Sequence, residues 1–260
     1  MWSPDKIIGA ACGLGIKDRS GSALAPDAIS KLIKHDIILS PEGESSMQEY
    51  LLHLYNEIVT AKDPLVFGGD HSVAIATWQA ALQNHGDDFA LVWLDAHLDA
   101  NNFDTSPSGN YHGMPLATLL GHCKELEFKE NFKYLKPENL YILGARDYEE
   151  GEYELLKSLN VNLYMMSEFD KVDLNTVMND ICSRHKEIGI SFDCDAIDSK
   201  YFPYVNTPVS HGFNIDELSD AIEIASKQLI GLEITEYNPL LDRNQRGPQV
   251  IYDILSWIVF

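Results

Sequence analysis

The sequence predicts an α/β fold, a mostly parallel central sheet with helices packed over it. Three observations predict it. Short apolar runs recur along the chain, and segments with apolar residues at three- and four-residue steps separate them. No repeat of roughly 20–50 residues, low-complexity tract or linker-like change in composition breaks the alternation. Runs that are apolar nearly throughout are strands buried on both faces, as in a parallel sheet covered by helices. Strand–helix–strand alternation gives the same architecture. The simplest domain count is one, over residues 1–260.

In chain order, residues 6–11 (KIIGAA) open as a strand, followed by a helix over 47–59 (MQEYLLHLYNEIV). A strand at 64–69 (PLVFGG) leads to a helix at 73–82 (VAIATWQAAL) and a strand at 89–96 (FALVWLDA). Residues 101–110 (NNFDTSPSGN), rich in Ser, Pro, Asn and Gly, form the clearest long loop. Strands at 139–145 (NLYILGA), 161–166 (VNLYMM), 187–193 (EIGISFD) and 229–235 (LIGLEIT) follow. Helices at 152–159, 174–185 and 215–226 separate them, and the final IYDILSWIVF reads as a packed helix.

The chain carries 40 acidic and 19 basic residues, a formal charge of −21. That charge repels phosphate, which argues against a nucleic-acid or anionic-membrane partner. It is compatible with a small cationic substrate, but a role in solubility alone is the default reading. The four cysteines, Cys12, Cys123, Cys182 and Cys194, show no CxxC spacing and suit a reducing compartment. The start MWSPDKIIGAAC lacks the pattern of a signal peptide. No apolar run approaches the roughly 18–20 residues needed to span a bilayer. A cytoplasmic soluble protein is expected.

In open α/β sheets, ligands gather outside the carboxyl ends of the strands. The run at 64–69 leads into Asp70, His71 and Ser72, where a helix cap is the simplest reading. The run at 89–96 leads into Asp95, His97 and Asp99. If extended geometry persists, a period of two puts these three on one side, with Ala96 and Leu98 facing the packed layer. Such ionisable groups beside an apolar strand repel and are poorly solvated without a cation. The run at 187–193 ends in Asp193-Cys194-Asp195, ordinarily a turn-forming acidic end with Cys194 as a small packing residue. After 229–235 comes Glu236-Tyr237-Asn238-Pro239, where Asn-Pro signals a turn and Glu236 could be a solvated loop acid.

Together these ends say more than each does alone. His71, Asp95, His97, Asp99, Asp193 and Asp195 could hold two divalent cations if some carboxylates bridge. Oxygen-rich ligation with a little nitrogen suits Mn²⁺ better than ions that favour thiolate. Paired ions roughly 3.5–4 Å apart share a water and lower its pKa toward neutrality.

The segments GGDHS (68–72), DAHLD (95–99) and SFDCDAIDS (191–199) resemble the signature segments of the ureohydrolase family, which includes arginase, agmatinase and formiminoglutamase. SGNYHGMP (108–115) and EYNP (236–239) extend the resemblance, in the family's order. It implies a three-layer α/β/α fold with a mostly parallel central sheet and a binuclear manganese site. By resemblance, His71, Asp95, Asp99 and Asp193 hold one ion, and Asp95, His97, Asp193 and Asp195 hold the other. Asp99 would orient a shared hydroxide that attacks the guanidinium carbon. Glu236 matches the acid that pairs with the guanidinium, and His112 the histidine that shuttles protons to the departing amine. Thr207 matches a threonine near the guanidinium.

The loop DAHLDANNFDTSPSGNYHG is most similar to the arginase form. Asn101, Ser108 and Asn110 then stand where that form binds an α-carboxylate, and Asp147 where it recognises an α-amino group. Glu149 replaces an aspartate, and its extra methylene displaces the carboxylate by about 1.5 Å. Ser199, Asn206 and Ala25 are further departures, from a proline and two glycines. The expected reaction is L-arginine and water to L-ornithine and urea. Agmatinase, guanidinobutyrase or formiminoglutamase-type activity is the alternative, motivated by Glu149. A catalytically silent metal-binding relative is disfavoured by the complete set of ligands with Glu236 and His112. Family members are commonly trimers or hexamers, so a homo-oligomer is expected.

Overall fold

A computed structural model of the protein describes residues 2–17, 20–169, 172–258 and 260. Its strands are β1 (Lys6–Ala10), β2 (Ile37–Leu39), β3 (Pro64–Gly68), β4 (Ala90–Leu94), β5 (Leu140–Leu143), β6 (Asn162–Tyr164), β7 (Ile188–Asp193) and β8 (Leu229–Thr235). They form an eight-stranded sheet in the order β2-β1-β3-β8-β7-β4-β5-β6. Every pairing in it is parallel.

The helices are α1 (Ala25–Ile29), α2 (Met47–Ile58), α3 (Ala74–His85), α4 (Pro115–Leu119), α5 (Glu150–Ser158), α6 (Leu174–Arg184), α7 (Ile215–Ile224) and α8 (Gly247–Ile254). Strand alternation assigns them to two faces. Leu65 and Phe67 of β3, with Ala90, Val92 and Leu94 of β4, pack against α1, α6, α7 and α8. The intervening Val66 packs with α2 and α3, and Leu91 and Trp93 pack with α3, α4 and α5. This is the three-layer α/β/α arrangement that the resemblance implies. Each fully buried aliphatic or aromatic side chain stabilises it by about 1.5–3 kcal/mol. Side-chain caps start α2, α6 and α7: Ser46 accepts from Glu49 N, Asp173 from Thr176 N and Asn214 from Glu217 N.

Several boundaries differ from expectation. β4 stops at Leu94, so extended geometry does not persist through Asp95–Asp99. α3 runs on to His85 and ends where Gly86 adopts φ +82°, a conformation glycine takes without strain. The last helix begins at Gly247 rather than Ile251 and ends at Ile254. β2, α1 and α4 were not anticipated; each spans five residues or fewer. Among the described residues no helix is long and apolar enough to cross a membrane.

Candidate metal centre and active site

The four central strands, β3, β8, β7 and β4, end side by side, and each delivers acids or imidazoles to one place. After β3 the chain turns through a short 3-10 helix, His71–Val73. Asp70 holds that turn, accepting from Ser72 N at 3.1 Å and from Gly15 N at 2.8 Å, as the capping reading expects. Gly69 is required there because a Cβ would lie 1.9 Å from the Cys12 carbonyl oxygen. His71 then projects inward, fully buried and stacked on Trp93 with ring centroids 4.2 Å apart.

Asp95, His97 and Asp99 do converge, though by a bend rather than by strand periodicity. Asp95 Oδ1 accepts from His97 N at 2.7 Å, and its Oδ2 accepts from Trp93 Nε1 at 2.8 Å. Asp99 is turned inward by a left-handed backbone, φ +45°. Ala96 and Leu98 face the core, fully buried. After β7, Asp193 Oδ1 accepts from Asp195 N at 2.8 Å, while Asp195 Oδ1 accepts from Ala96 N at 3.1 Å and ties β7 to β4. Cys194 is buried in the core, as expected of a packing residue.

Carboxylate oxygens of Asp99, Asp193 and Asp95 lie 2.9, 3.1 and 3.3 Å from His71 Nδ1. His97 Nδ1 lies 3.0 Å from Asp195 Oδ2 and 3.5 Å from Asp95 Oδ1. The donor atoms fall into two overlapping groups, His71–Asp95–Asp99 and Asp95–His97–Asp195, with Asp95 common to both. Beside them Glu236, also left-handed at φ +67°, accepts from His71 N at 2.9 Å and contacts His112 Nδ1 at 3.2 Å. Two non-glycine residues in this conformation at one site store strain of order 1–3 kcal/mol each.

A family model for the arginase family matches residues 33–258. The chain belongs to the arginase family. Arginase of Bacillus subtilis (strain 168) is 37% identical over 212 residues, 78% of this chain and 71% of that protein. Arginase of Plasmodium berghei (strain Anka) is 39% identical over 197 residues, which cover 70% of this chain but only 54% of that longer relative. A crystal structure of arginase from Bacillus subtilis superposes with a TM-score of 0.86 at 32% identity, covering 96% of both chains.

The donor set of this arginase-family chain fits a metal. His71 Nδ1 is buried and has no hydrogen-bond partner among the described residues, yet three carboxylates surround it. Three carboxylates packed round one buried imidazole nitrogen make a place that a cation suits and that is otherwise costly to bury. The electrostatics agree. Burial, and after it Asp195 and Asp95, push the Asp193 carboxyl well up. Burial and Asp95 push Asp99 up to about 6. For Asp95 burial acts the same way, but His71 and His97 outweigh it and hold the carboxyl below its usual range.

The cluster floors a cavity of about 310 Å³ whose wall includes Asn101, Ser108, Asn110, Asp147, Glu149 and Thr207. Every substrate-loop residue expected from the sequence thus reaches one cavity. They differ in freedom. Thr207 Oγ1 donates to Asp195 Oδ2 at 3.4 Å, and the Asp147 side chain is 70% exposed. Glu149 Oε2 is engaged, accepting from Asn101 Nδ2 at 3.1 Å. Glu152 accepts from Glu149 N and Ala100 N, and burial followed by Glu149 pushes its carboxyl up to about 9.

Trp93, Ser191, Glu152 and Lys17 were not singled out from the sequence. Trp93 was within reach, because it lies two residues before Asp95. Lys17, whose Nζ donates to the Ser108 carbonyl at 3.0 Å, meets its partner across 91 positions and left no local signal.

Proposed function

We propose that this arginase-family hydrolase converts L-arginine and water to L-ornithine and urea on a pair of Mn²⁺ ions. His71, Asp95, Asp99 and Asp193 would hold one ion, and Asp95, His97, Asp193 and Asp195 the other. Two such ions, when bound, supply an ionised water at neutral pH. The observation that carries the reading is the convergence of two histidines and four carboxylates on adjacent strand ends, beside a paired Glu236 and His112.

The chain's own residues divide the remaining work. Glu236 is the carboxylate partner for the planar guanidinium, a geometry suited to paired hydrogen bonds. Its Oε2 also lies 3.4 Å from Asn206 Nδ2, which helps to orient the acid. Asp99 orients the attacking water and takes its proton as the trigonal carbon becomes tetrahedral. His112 delivers a proton to the departing amine. Burial alone would lower its imidazole, but Glu236 beside it pushes it up to about 9, so it is charged and ready to donate at neutral pH. Asn101, Ser108 and Asn110 would receive the α-carboxylate, and Asp147, Glu149 and Thr207 the rest of the substrate. The free thiols of all four cysteines suit a cytoplasmic setting, and we expect a homo-oligomer there.

Purified protein loaded with Mn²⁺ should release urea from arginine much faster than from agmatine or guanidinobutyrate. A reversed preference removes the arginine assignment and leaves the reaction class. One observation favours a second reading, another amidino or formimino substrate: Glu149 already spends a carboxylate oxygen on Asn101. Formiminoglutamate would yield formamide instead of urea, so product identity separates the two. Glu149→Asp should raise kcat/KM for arginine if Glu149 is an adaptation away from it.

A further inference from the structure

The proposed mechanism leaves several buried acids unused, Glu233 among them. Glu233 interrupts the apolar run LIGLEIT of β8 and is fully buried. A carboxyl at such a place is costly unless its oxygens are well bonded. Two hydroxyls bond it: Ser191 Oγ donates to Oε2 at 2.8 Å, and Thr77 Oγ1 of α3 donates to Oε1. Ser191 stands directly opposite Glu233 in the β7–β8 register. On its other side, Ser191 Oγ lies 3.0 Å from His71 Nε2.

Proton counting fixes the direction of this chain. A serine hydroxyl has one proton to give. Glu233 receives it, so Ser191 Oγ must accept at its contact with His71, and the imidazole proton sits on Nε2. In the neutral ring that a metal ligand must be, Nδ1 then keeps its lone pair and faces the oxygens of Asp95, Asp99 and Asp193. Without an acceptor at 233 the Ser191 hydroxyl can turn its proton onto the imidazole, favouring a proton on Nδ1 where a cation belongs. Partners of this kind fix the tautomer and ring orientation of metal-binding histidines, and their loss costs roughly 10–100-fold in metal affinity.

We propose that Glu233 is a positioning residue for the metal centre, acting through Ser191 to keep the His71 proton on Nε2 and Nδ1 open to a cation. The proposal rests on the reading of His71 as a ligand. Mn²⁺ titrations of the full chain, with free ion counted by electron paramagnetic resonance, test it. Glu233→Leu and Ser191→Ala should each weaken one site by roughly 10–100-fold. The double variant should be no weaker than Ser191→Ala alone, because both changes cut one path. Glu233→Gln, whose amide oxygen still accepts from Ser191, should keep wild-type affinity.

Wild-type affinity in Glu233→Leu, additive losses in the double variant, or an equal loss in Glu233→Gln would overturn the proposal. So would a lower melting temperature of the metal-free protein with unchanged Mn²⁺ affinity, the signature of a purely structural acid. If Glu233→Leu does not fold, Glu233→Met carries the same expectations. His71→Ala that still binds Mn²⁺ like the wild type would instead refute the ligand reading itself.

Discussion

The site's like charges are gathered residue by residue, and each has a distinct local cause. Asp95 is held by Trp93 and by the amide of His97, Asp99 by its left-handed backbone, Asp195 by the amide of Ala96. The identities of these acids were legible because alternate positions after an apolar run are a strong signal. The geometry behind them was not: a bend produces the convergence, and bends depend on contacts from elsewhere in the chain. His97→Ala or Asp195→Ala should empty one of the two proposed ion positions and lower turnover by orders of magnitude, read by metal analysis and urea release on one preparation. His112→Asn should keep both ions, since the hydrogen bond of the His112 ring is to Glu236, which is not among the proposed ligands. Its turnover should fall by roughly 100-fold or more, the usual contribution of a positioned acid or base. Unchanged turnover would remove His112 from the proton path.

Elements reach the site through their ends, so a small change at a junction should be felt in the chemistry. The β3 end is the tightest such place, because Gly69 N donates to Ala10 O and its missing Cβ leaves room for the Cys12 carbonyl. Gly69→Ala must push the β1 and β3 ends apart. We expect a loss of roughly 1–3 kcal/mol, as for other overpacked positions, measured by urea unfolding. Mn²⁺ affinity should fall with it, since His71 follows two residues later. The long strands were legible from their unbroken apolar runs, which a sheet buried on both faces demands. β2 was not, because Ile37–Leu39 is an edge strand of three residues with Ile38 exposed. Glu233 was passed over for the opposite reason: it sits inside a run otherwise apolar enough to read as core.

At the scale of the whole molecule, acid is expected to weaken the fold through a histidine outside the site. His35 is buried against Phe67, with ring centroids 5.0 Å apart, and burial holds its imidazole down at about 4 despite Asp27 and Asp36. The unfolded chain binds that proton near pH 6.5, so it holds more protons than the folded one between about 6.5 and 4. Stability should therefore be unaffected by His35 above pH 6.5 and fall as the pH drops toward 4, by at most ~3 kcal/mol. His35→Leu should flatten that part of a pH series of unfolding midpoints; an unaltered slope would exclude His35 as its source. The parallel sheet itself was legible from the alternation of runs, but its strand order was not, since order depends on pairings between distant segments. That order has a consequence during synthesis. β3 and β4 are consecutive in the chain yet lie apart in the sheet, with β8 and β7 between them. Until the ribosome has delivered residues 188–235, both present bare edges to the surroundings, open to mispairing with neighbouring nascent chains. A holdase that shields those edges would raise the yield of this protein more than one that acts after release.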